Sequence, residues 1–224
     1  MPASTKESPA TKPLFVLLLA FVGACLYIAF EQNNVISISN LSLLLGGFLV
    51  AVAGYTLAKP AEVGQALKAF PRANAPGYVL MLSATAWFLW NIHIEQMEDY
   101  KDIKYLFYIG FGAVGIGSCV YLKDFLAVRG MAVFMLLLAR LILDTQRVYM
   151  FDTPEETMSQ WRIVFAIWGY AIVLMSMWLI VSPWRMRDMI NWLTANPSRL
   201  RIKSGFRLCL GILLIILGLT VFRA

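Results

Sequence analysis

The sequence predicts an all-α membrane protein, a polytopic bundle of seven transmembrane helices. Its composition is 60% hydrophobic and only 14% charged, whereas soluble domains carry about 25% charged residues. The chain contains seven apolar runs of 17 residues or more, joined by polar segments, and each run is long enough to cross a bilayer as a helix. These runs are continuously apolar, which favours helices over the alternating strands of a membrane barrel. They cover residues 14–30, 41–58, 77–93, 105–122, 126–146, 161–181 and 205–222.

The first run follows a short polar tail. Residues 1–12 are rich in Pro, Ser, Thr and Lys and predict a disordered cytoplasmic tail, so residues 13–224 form one seven-helix transmembrane domain. An alternative is cleavage of a signal peptide, or lipidation of Cys25 within the motif Val22-Gly23-Ala24-Cys25. Because residues 26–30 continue the apolar run past that motif, we expect a retained helix, although the cleavage alternative stays open.

Basic residues in the loops set the expected orientation. With the N-terminus inside, 13 Lys and Arg residues fall on the inner side and 5 on the outer side. Because cytoplasmic loops are enriched in Lys and Arg, this predicts a cytoplasmic N-terminus and an external C-terminus. The segment Thr153-Pro154-Glu155-Glu156 has the pattern of a capping box and predicts that the sixth helix begins on the outer side.

Two inner loops share a pattern of prolines and spaced apolar residues. Lys59-Pro60 precedes Val63, Leu67 and Phe70, and Ser182-Pro183 precedes Met186, Met189, Ile190 and Leu193. Each pattern predicts a short amphipathic helix lying on the cytoplasmic face, closed by Pro71 or Pro197, before a long helix opened by Gly77 or Gly205. Two explanations fit this likeness equally well. One is a parallel repeat of residues 14–93 and 126–222, and the other is two unrelated loops with the same interfacial chemistry.

The C-terminal hairpin resembles a known family. Residues 170–222 contain Ser182-Pro183-Trp184, Asn191-Trp192-Leu193-Thr194, Pro197, Arg201, Gly205 and Gly211. This segment is similar to the YjeT-like small inner-membrane proteins of bacteria, which have two helices and no established activity. The resemblance covers about a quarter of the chain, and this chain has five further spans. It implies a location in the bacterial inner (cytoplasmic) membrane and no catalytic residue.

The fifth run carries the strongest polar signal within an apolar segment. Arg140, Asp144 and Arg147 recur at helical spacing and share one face of that helix. Charged residues at membrane depth are costly and face protein or water, so the stripe is a candidate intramembrane polar site. The alternative is structural: Arg140 extends outward along the helix and pairs with Asp144. No other run supplies an obvious partner for Arg140.

His93 and Glu95 form a second candidate, a polar group on the outer face at the end of the third run. Histidine transfers protons and binds metals. A metal site needs several ligands, however, and no group of His, Cys, Asp and Glu accompanies His93. We therefore expect neither a metal nor a cofactor. The three cysteines, Cys25, Cys119 and Cys209, are expected to be small buried side chains.

Small residues predict close contacts between helices. They recur in the fourth run, and pairs at helix-packing spacing appear in the second and seventh. We expect association with other membrane subunits, or self-association, through these Gly-rich helices, with the lipid bilayer as the remaining surroundings. The net charge of +6 is spread over short loops and fits membrane topology rather than nucleic-acid binding. The small residues at these helix-packing positions are Gly110, Gly112, Ala113, Gly115, Gly117, Gly47, Ala51, Gly211 and Gly218.

Two functions fit these patterns. The first is a non-catalytic accessory or scaffold subunit of a bacterial inner-membrane complex, favoured by the scarcity of polar residues in the spans. The alternative is a small transporter or channel that uses the Arg140/Asp144 stripe. An enzyme is not expected, since no nucleophile with a matched base is visible.

Overall fold

The computed structural model describes residues 11–95, 98–152 and 160–222, and all regular structure in these ranges is helical. The predicted tail lies almost wholly outside the described residues, as does the predicted capping box at residues 153–156. Two short 3-10 helices, Phe70–Arg72 and Glu98–Ile103, accompany the α-helices. The α-helices of the described ranges are α1 Thr11–Glu31, α2 Ile38–Ala58, α3 Pro60–Ala69, α4 Asn74–Ile94, α5 Lys104–Tyr121, α6 Leu126–Asp152, α7 Arg162–Val181, α8 Trp184–Thr194 and α9 Pro197–Leu219.

Six helices of the described chain are long and apolar enough to cross a membrane: α1, α2, α5, α6, α7 and α9. The one predicted span that is missing from the six is the third run, residues 77–93, which corresponds to the 21-residue helix α4. Asn91, His93 and two tryptophans make α4 more polar than its neighbours. The all-helical class is confirmed, with six candidate spans.

Three helix boundaries differ from the sequence-based expectation, and the first is the start of α4, which lies at Asn74 rather than at Gly77. The prediction that the last long helix begins at Gly205 is wrong, because α9 begins at Pro197. The side chain of Asn196 accepts a hydrogen bond from the Ser198 amide at 3.0 Å, and Pro197 occupies the first turn, where its missing N–H costs nothing. Similarly, α6 runs on to Asp152 rather than ending near residue 146.

Close contacts of glycines determine how α2 and α9 pack. A Cβ added at Gly46 would lie 2.7 Å from the carbonyl oxygen of Gly211, and one at Gly218 would lie 2.9 Å from the Cβ of Ser42. The two helices are therefore antiparallel, with their backbones almost touching. The hydroxyl of Ser39 also donates to the carbonyl of Gly218 at 2.7 Å. We call this contact the α2–α9 interface.

Glycines also mark the contact between α4 and α6. A Cβ at Gly77 would lie 2.9 Å from the amide nitrogen of Ala127, and farther along, the rings of Trp87 and Phe134 meet edge to face at 5.4 Å. The two helices are thus parallel. Helix α6 lies at the centre of the bundle, since 61% of its apolar window is buried, compared with 11% for α5.

The remaining long helices pack around these pairs. Helix α5 is antiparallel to α4, because Met81 clusters with Cys119 and Thr85 packs against the more N-terminal Gly115. Helix α7 is antiparallel to α6, because Leu179 clusters with Val128 near the start of α6. Gly169, nearer the start of α7, meets Leu143 near the opposite end of α6.

Helix α1 joins the two parts of the bundle. Phe21 stacks on Phe48 of α2 at 4.0 Å between ring centroids and meets Phe134 of α6 at 6.5 Å. Phe30, near the end of α1, packs edge to face on Trp90 near the end of α4 at 5.3 Å. Helix α1 therefore runs parallel to α4 and antiparallel to α2.

The bundle has two chemically different ends. At the end that we call the Glu95 end, α1, α4 and α6 finish, with Glu31 and Glu95 at the ends of α1 and α4 and Asp144 in the C-terminal half of α6. At the opposite end, called the α8 end, the short helices α3 and α8 pack against each other. Val63, Ile190 and Leu193 are buried against protein, whereas Trp184 and Trp192 of α8 are exposed. The two predicted short helices therefore exist, and their apolar sides contact the bundle and each other.

Candidate functional site

The predicted charged stripe of α6 forms a chain of ion pairs. The Nε of Arg140 donates to Oδ2 of Asp144 at 3.3 Å, one helical turn away. Nη2 of Arg147 lies 4.0 Å from Oδ1 of the same carboxylate. Asp144 thus lies between two guanidinium groups, which offset the unfavourable interaction of a carboxylate with the C-terminal half of a helix.

Glu95 adds a second carboxylate to Arg140. Its Oε2 lies 2.9 Å from Nη2 of Arg140, so one arginine contacts acids from two helices. The parallel packing of α4 and α6 brings these residues to the same level, because Glu95 follows directly after α4. The partner of Arg140 outside its own helix therefore comes from a residue that follows the third apolar run, not from within another run. The structure joins the two predicted groups into one, and we call Glu95, Arg140, Asp144 and Arg147 the charged cluster.

The charged cluster is half-exposed rather than buried. The side chains of Arg140, Glu95 and Asp144 are 46%, 49% and 41% exposed. Where such exposure is to water, ion pairs contribute about 0–1 kcal/mol each, because water competes for both charges. The cluster therefore orients the end of α4 against α6 without holding the bundle together.

His93 lies beside this cluster and contacts α5. The hydroxyl of Tyr108 is 3.4 Å from Nδ1 of His93, and the Trp90 indole stacks on the imidazole at 5.1 Å. The ammonium of Lys104 donates to the carbonyls of His93 at 2.8 Å and Glu95 at 3.1 Å. Lys104 thus caps the C-terminus of α4, as cations commonly do. Within the described chain no group of three His, Cys, Asp or Glu side chains is placed to hold a metal ion.

An open cleft of about 790 Å³ borders His93 and Glu95 at this end. Both aromatic and polar side chains line the cleft. The indole nitrogen of Trp90 is buried without a hydrogen-bond partner in the structure. The lining residues are Phe30, Asn33, Trp90, His93, Ile94 and Glu95.

A buried amide network beneath the cleft was not foreseen from the sequence. The Oδ1 of Asn34 accepts from the indole N–H of Trp87 at 2.9 Å, and its Nδ2 donates to Oδ1 of Asn91 at 2.8 Å. Trp87 and Asn91 are almost fully buried, so Asn34 satisfies polar groups that water cannot easily reach. Asn34 has a left-handed φ of 62°, which asparagine tolerates better than most residues. In the sequence, only the Asn33-Asn34 pair after an apolar run indicates a turn with left-handed backbone at this position.

The predicted small-residue contacts occur at only some of the expected positions. Gly211 and Gly218 face α2, but they meet Gly46 and Ser42 there, whereas a Cβ at Gly47 would meet nothing within 4 Å. On α5, Gly115 packs against Thr85, while Gly110 would have open space around an added Cβ. Gly112 and Gly117 lie only at the limit of such contacts. Sequence spacing alone does not distinguish a packed glycine from an exposed one.

The cysteines follow the expectation in part. Cys25 and Cys119 are buried and free, but Cys209 is exposed on the surface of the bundle, contrary to the prediction. Cys25 lies in the interior of α1, and two residues that cleavage before it would remove, Phe21 and Val22, belong to the main hydrophobic core.

Comparison of the chain with protein-family models, with curated proteins and with solved structures finds no match. The site must therefore be interpreted from its own geometry. That geometry comprises a half-exposed charged cluster, an aromatic cleft beside it and a satisfied amide network beneath, all at the Glu95 end of an apolar helical bundle.

Proposed function

We propose that the chain is a seven-span membrane protein with a cytoplasmic N-terminus and that it serves as a non-catalytic accessory or scaffold subunit of a membrane complex. The bacterial inner membrane is proposed on the YjeT-like resemblance of residues 170–222. Four features of the bundle support this proposal: the position of α4, the separation of charge between the two ends, the composition of the interior, and the exposed apolar faces.

The position of α4 supports a seventh span. It packs along candidate spans on three sides, parallel to α1 and α6 and antiparallel to α5. Its 21 residues extend about 31 Å at 1.5 Å per residue, the thickness of a bilayer core. Because α5 lies antiparallel beside α4, a membrane that α5 crosses from the outer to the inner side would also be crossed by α4 from the inner to the outer side.

The separation of basic residues supports the orientation. The α8 end carries twelve described Lys and Arg residues against three acids, counted over the first turns of α1 and α6, the helices α3 and α8, the N-terminal half of α9 and the connections near them. The acids there are Glu62, Asp124 and Asp188. Because basic residues are retained on the cytoplasmic side, the α8 end is the proposed inner end.

The composition of the interior carries the proposal of a non-catalytic role. All buried polar side chains in the described chain are Ser, Thr or Asn, and none is charged. Several of them, such as Ser42 and Thr56, donate to the carbonyl one turn earlier in their own helix. Transport sites usually place polar or ionisable groups and interrupted helices at the midplane. An interior of this kind supports packing rather than translocation.

The outer faces of the bundle supply room for a partner. Helix α5 has large exposed apolar side chains along most of its length, and Gly110 leaves open space among them. Helix α7 exposes a similar set. Lipid or the helices of another subunit, or of a second copy of this chain, would cover these faces, in keeping with the expected association through Gly-rich helices.

Cysteine labelling tests the seven spans and the orientation. In a chain with Cys25→Ala, Cys119→Ala and Cys209→Ala, single substitutions Gln65→Cys and Asp102→Cys flank α4, and Val35→Cys marks the α1–α2 connection. A membrane-impermeant maleimide on intact cells should label positions 35 and 102 but reach position 65 only after permeabilisation. Equal behaviour of positions 65 and 102 would show that α4 does not cross.

Purification in mild detergent from native membranes tests the scaffold role. We expect at least one membrane protein to remain with the chain in a fixed ratio, with the ratio unchanged by neutralising Arg140 and Asp144. A chain that purifies alone, and whose reconstitution in vesicles moves ions or solutes, would contradict the proposal.

The second candidate, a transporter or channel, is favoured by one observation, the cleft that adjoins the charged cluster. Exchanging Arg140 and Asp144 is a poor test, because the exchange would set like charges beside Glu95 and Arg147. Neutral variants, Arg140→Gln and Asp144→Asn, avoid this repulsion. If they fold normally but abolish flux in vesicles, the transporter replaces the scaffold as the better account.

A further inference from the structure

The N-terminal half of α9 carries two neighbouring cations that no acid neutralises in the described chain. Lys203 and Arg207 are one helical turn apart and so share a face. Both are half-buried, and their charges repel each other. Taking cations partly out of water is costly unless a counter-charge accompanies them. Their placement therefore favours an anion from outside the chain.

The acids of the α8 end are committed elsewhere or lie apart. Glu62 pairs with Lys59 at 3.4 Å, and Asp188 lies 3.5 Å from Arg187. Asp124 is exposed in the connection between α5 and α6. Among the ion pairs of the described residues, none involves Lys203 or Arg207.

The same arc of α9 also presents apolar and aromatic surface. Ile202 and Phe206, both 72% exposed, are next to Lys203 and Arg207 around the helix. One turn earlier, the guanidinium of Arg199 lies 4.8 Å over the ring of Trp192 and donates to its carbonyl at 3.3 Å. Tryptophan and arginine at this position are typical of the headgroup region of a bilayer. A ligand that fits the arc has an anionic head and an apolar tail.

We propose that the Lys203–Arg207 face of α9 binds the phosphate of an anionic phospholipid, whose acyl chain lies against Ile202 and Phe206. The proposal rests on the membrane location in the proposed function but not on the accessory role. The exposed apolar neighbours favour a lipid over inorganic phosphate, which would gain nothing from them. They also disfavour an acidic protein or a nucleic acid, which would bind in water beyond the headgroups.

Binding of phosphatidylglycerol to the purified full-length chain in phosphatidylcholine nanodiscs tests the site. We expect lipid-dependent thermal stabilisation of the wild-type protein and about 30-fold weaker binding in the Lys203→Gln/Arg207→Gln variant, which loses two direct charge-assisted contacts to the phosphate. In pure phosphatidylcholine, this variant should melt at or above the wild-type temperature, because the substitution removes a repulsion. The Lys203→Arg variant, which keeps the charge, should bind like the wild type.

The matched control is Lys68→Gln/Arg72→Gln, which removes the same charge from exposed positions at the same end. This control should retain at least most of the wild-type affinity. Equal losses in both double variants would mean a general surface attraction and would overturn the site. Equal stabilisation by inorganic phosphate would overturn the assignment to a lipid, and no stabilisation by either would overturn the proposal. Cysteine labelling tests the membrane orientation separately, so the two failures are distinguishable.

Discussion

The α2–α9 interface and the charged cluster differ in how they appear in the sequence and in what they contribute. The interface joins helices that are far apart in the chain through single glycines, which are inconspicuous among 15 in the sequence. The charged cluster combines the most conspicuous polar residues of the apolar runs, yet its side chains are nearly half exposed. Contact energy follows burial and close approach, so the less conspicuous region should contribute more to stability.

The largest effect is expected for Gly46→Ala. The new methyl group would meet the backbone of α9, which cannot move away as a flexible side chain can. We expect a loss of about 2–3 kcal/mol in the free energy of unfolding, within the range for overpacked contacts. Unfolding by SDS in mixed micelles, followed by circular dichroism, measures this loss.

Gly47→Ala is the matched control, since its methyl group would meet nothing within 4 Å. Replacing an open helical glycine should leave stability unchanged or raise it by up to about 1 kcal/mol. Equal losses at positions 46 and 47 would mean that α2 and α9 do not pack as described.

An intermediate effect is expected for Asn34→Gly, which keeps the left-handed backbone but removes the amide. Trp87 and Asn91 would lose their partner, which should lower stability by about 1–2 kcal/mol. Asn33→Gly provides the comparison, because Asn33 also has a positive φ but makes no such hydrogen bond. Thermal melts in detergent that show the same loss for both variants would assign the effect to the backbone instead.

The smallest effect is expected within the charged cluster. A double-mutant cycle with Glu95→Gln and Arg140→Gln should give a coupling energy of about 0.2–1 kcal/mol that decreases with added salt. The longer contact between Asp144 and Arg147 should give less. A coupling energy that is well above this range and does not change with salt would indicate that lipid shields the cluster from water. That result would favour the transporter over the scaffold.

Much of the secondary structure could be predicted, because a long apolar run in lipid must satisfy its own backbone hydrogen bonds as a helix. Every predicted run corresponds to a helix of the described chain, and the two short helices also occur where proline and spaced apolar residues predict them. The start of α9 differs from the prediction because Pro197, which ends the preceding helix, also begins the next one. Proline both stops one helix and begins the next.

The candidate site could be predicted by residue type but not by arrangement. Arg140, Asp144 and Arg147 share a face because of local helix geometry, which spacing gives directly. The partnership of Glu95 with Arg140 depends on the parallel packing of α4 and α6, which no local pattern encodes. Asn34 was missed because a single amide in a short turn has no pattern of its own until its neighbours are known.

The amino-acid sequence by itself determined the helices, the apolar class and the uneven distribution of basic residues, because these depend on local composition and the hydrogen bonds of each segment. Only the tertiary structure decided which glycines meet, which acid contacts Arg140 and which cations lack a partner. Those relations depend on how helices separated in the chain approach one another. In this bundle, that approach is set by backbone contacts a few ångströms across, such as the one between Gly46 and Gly211.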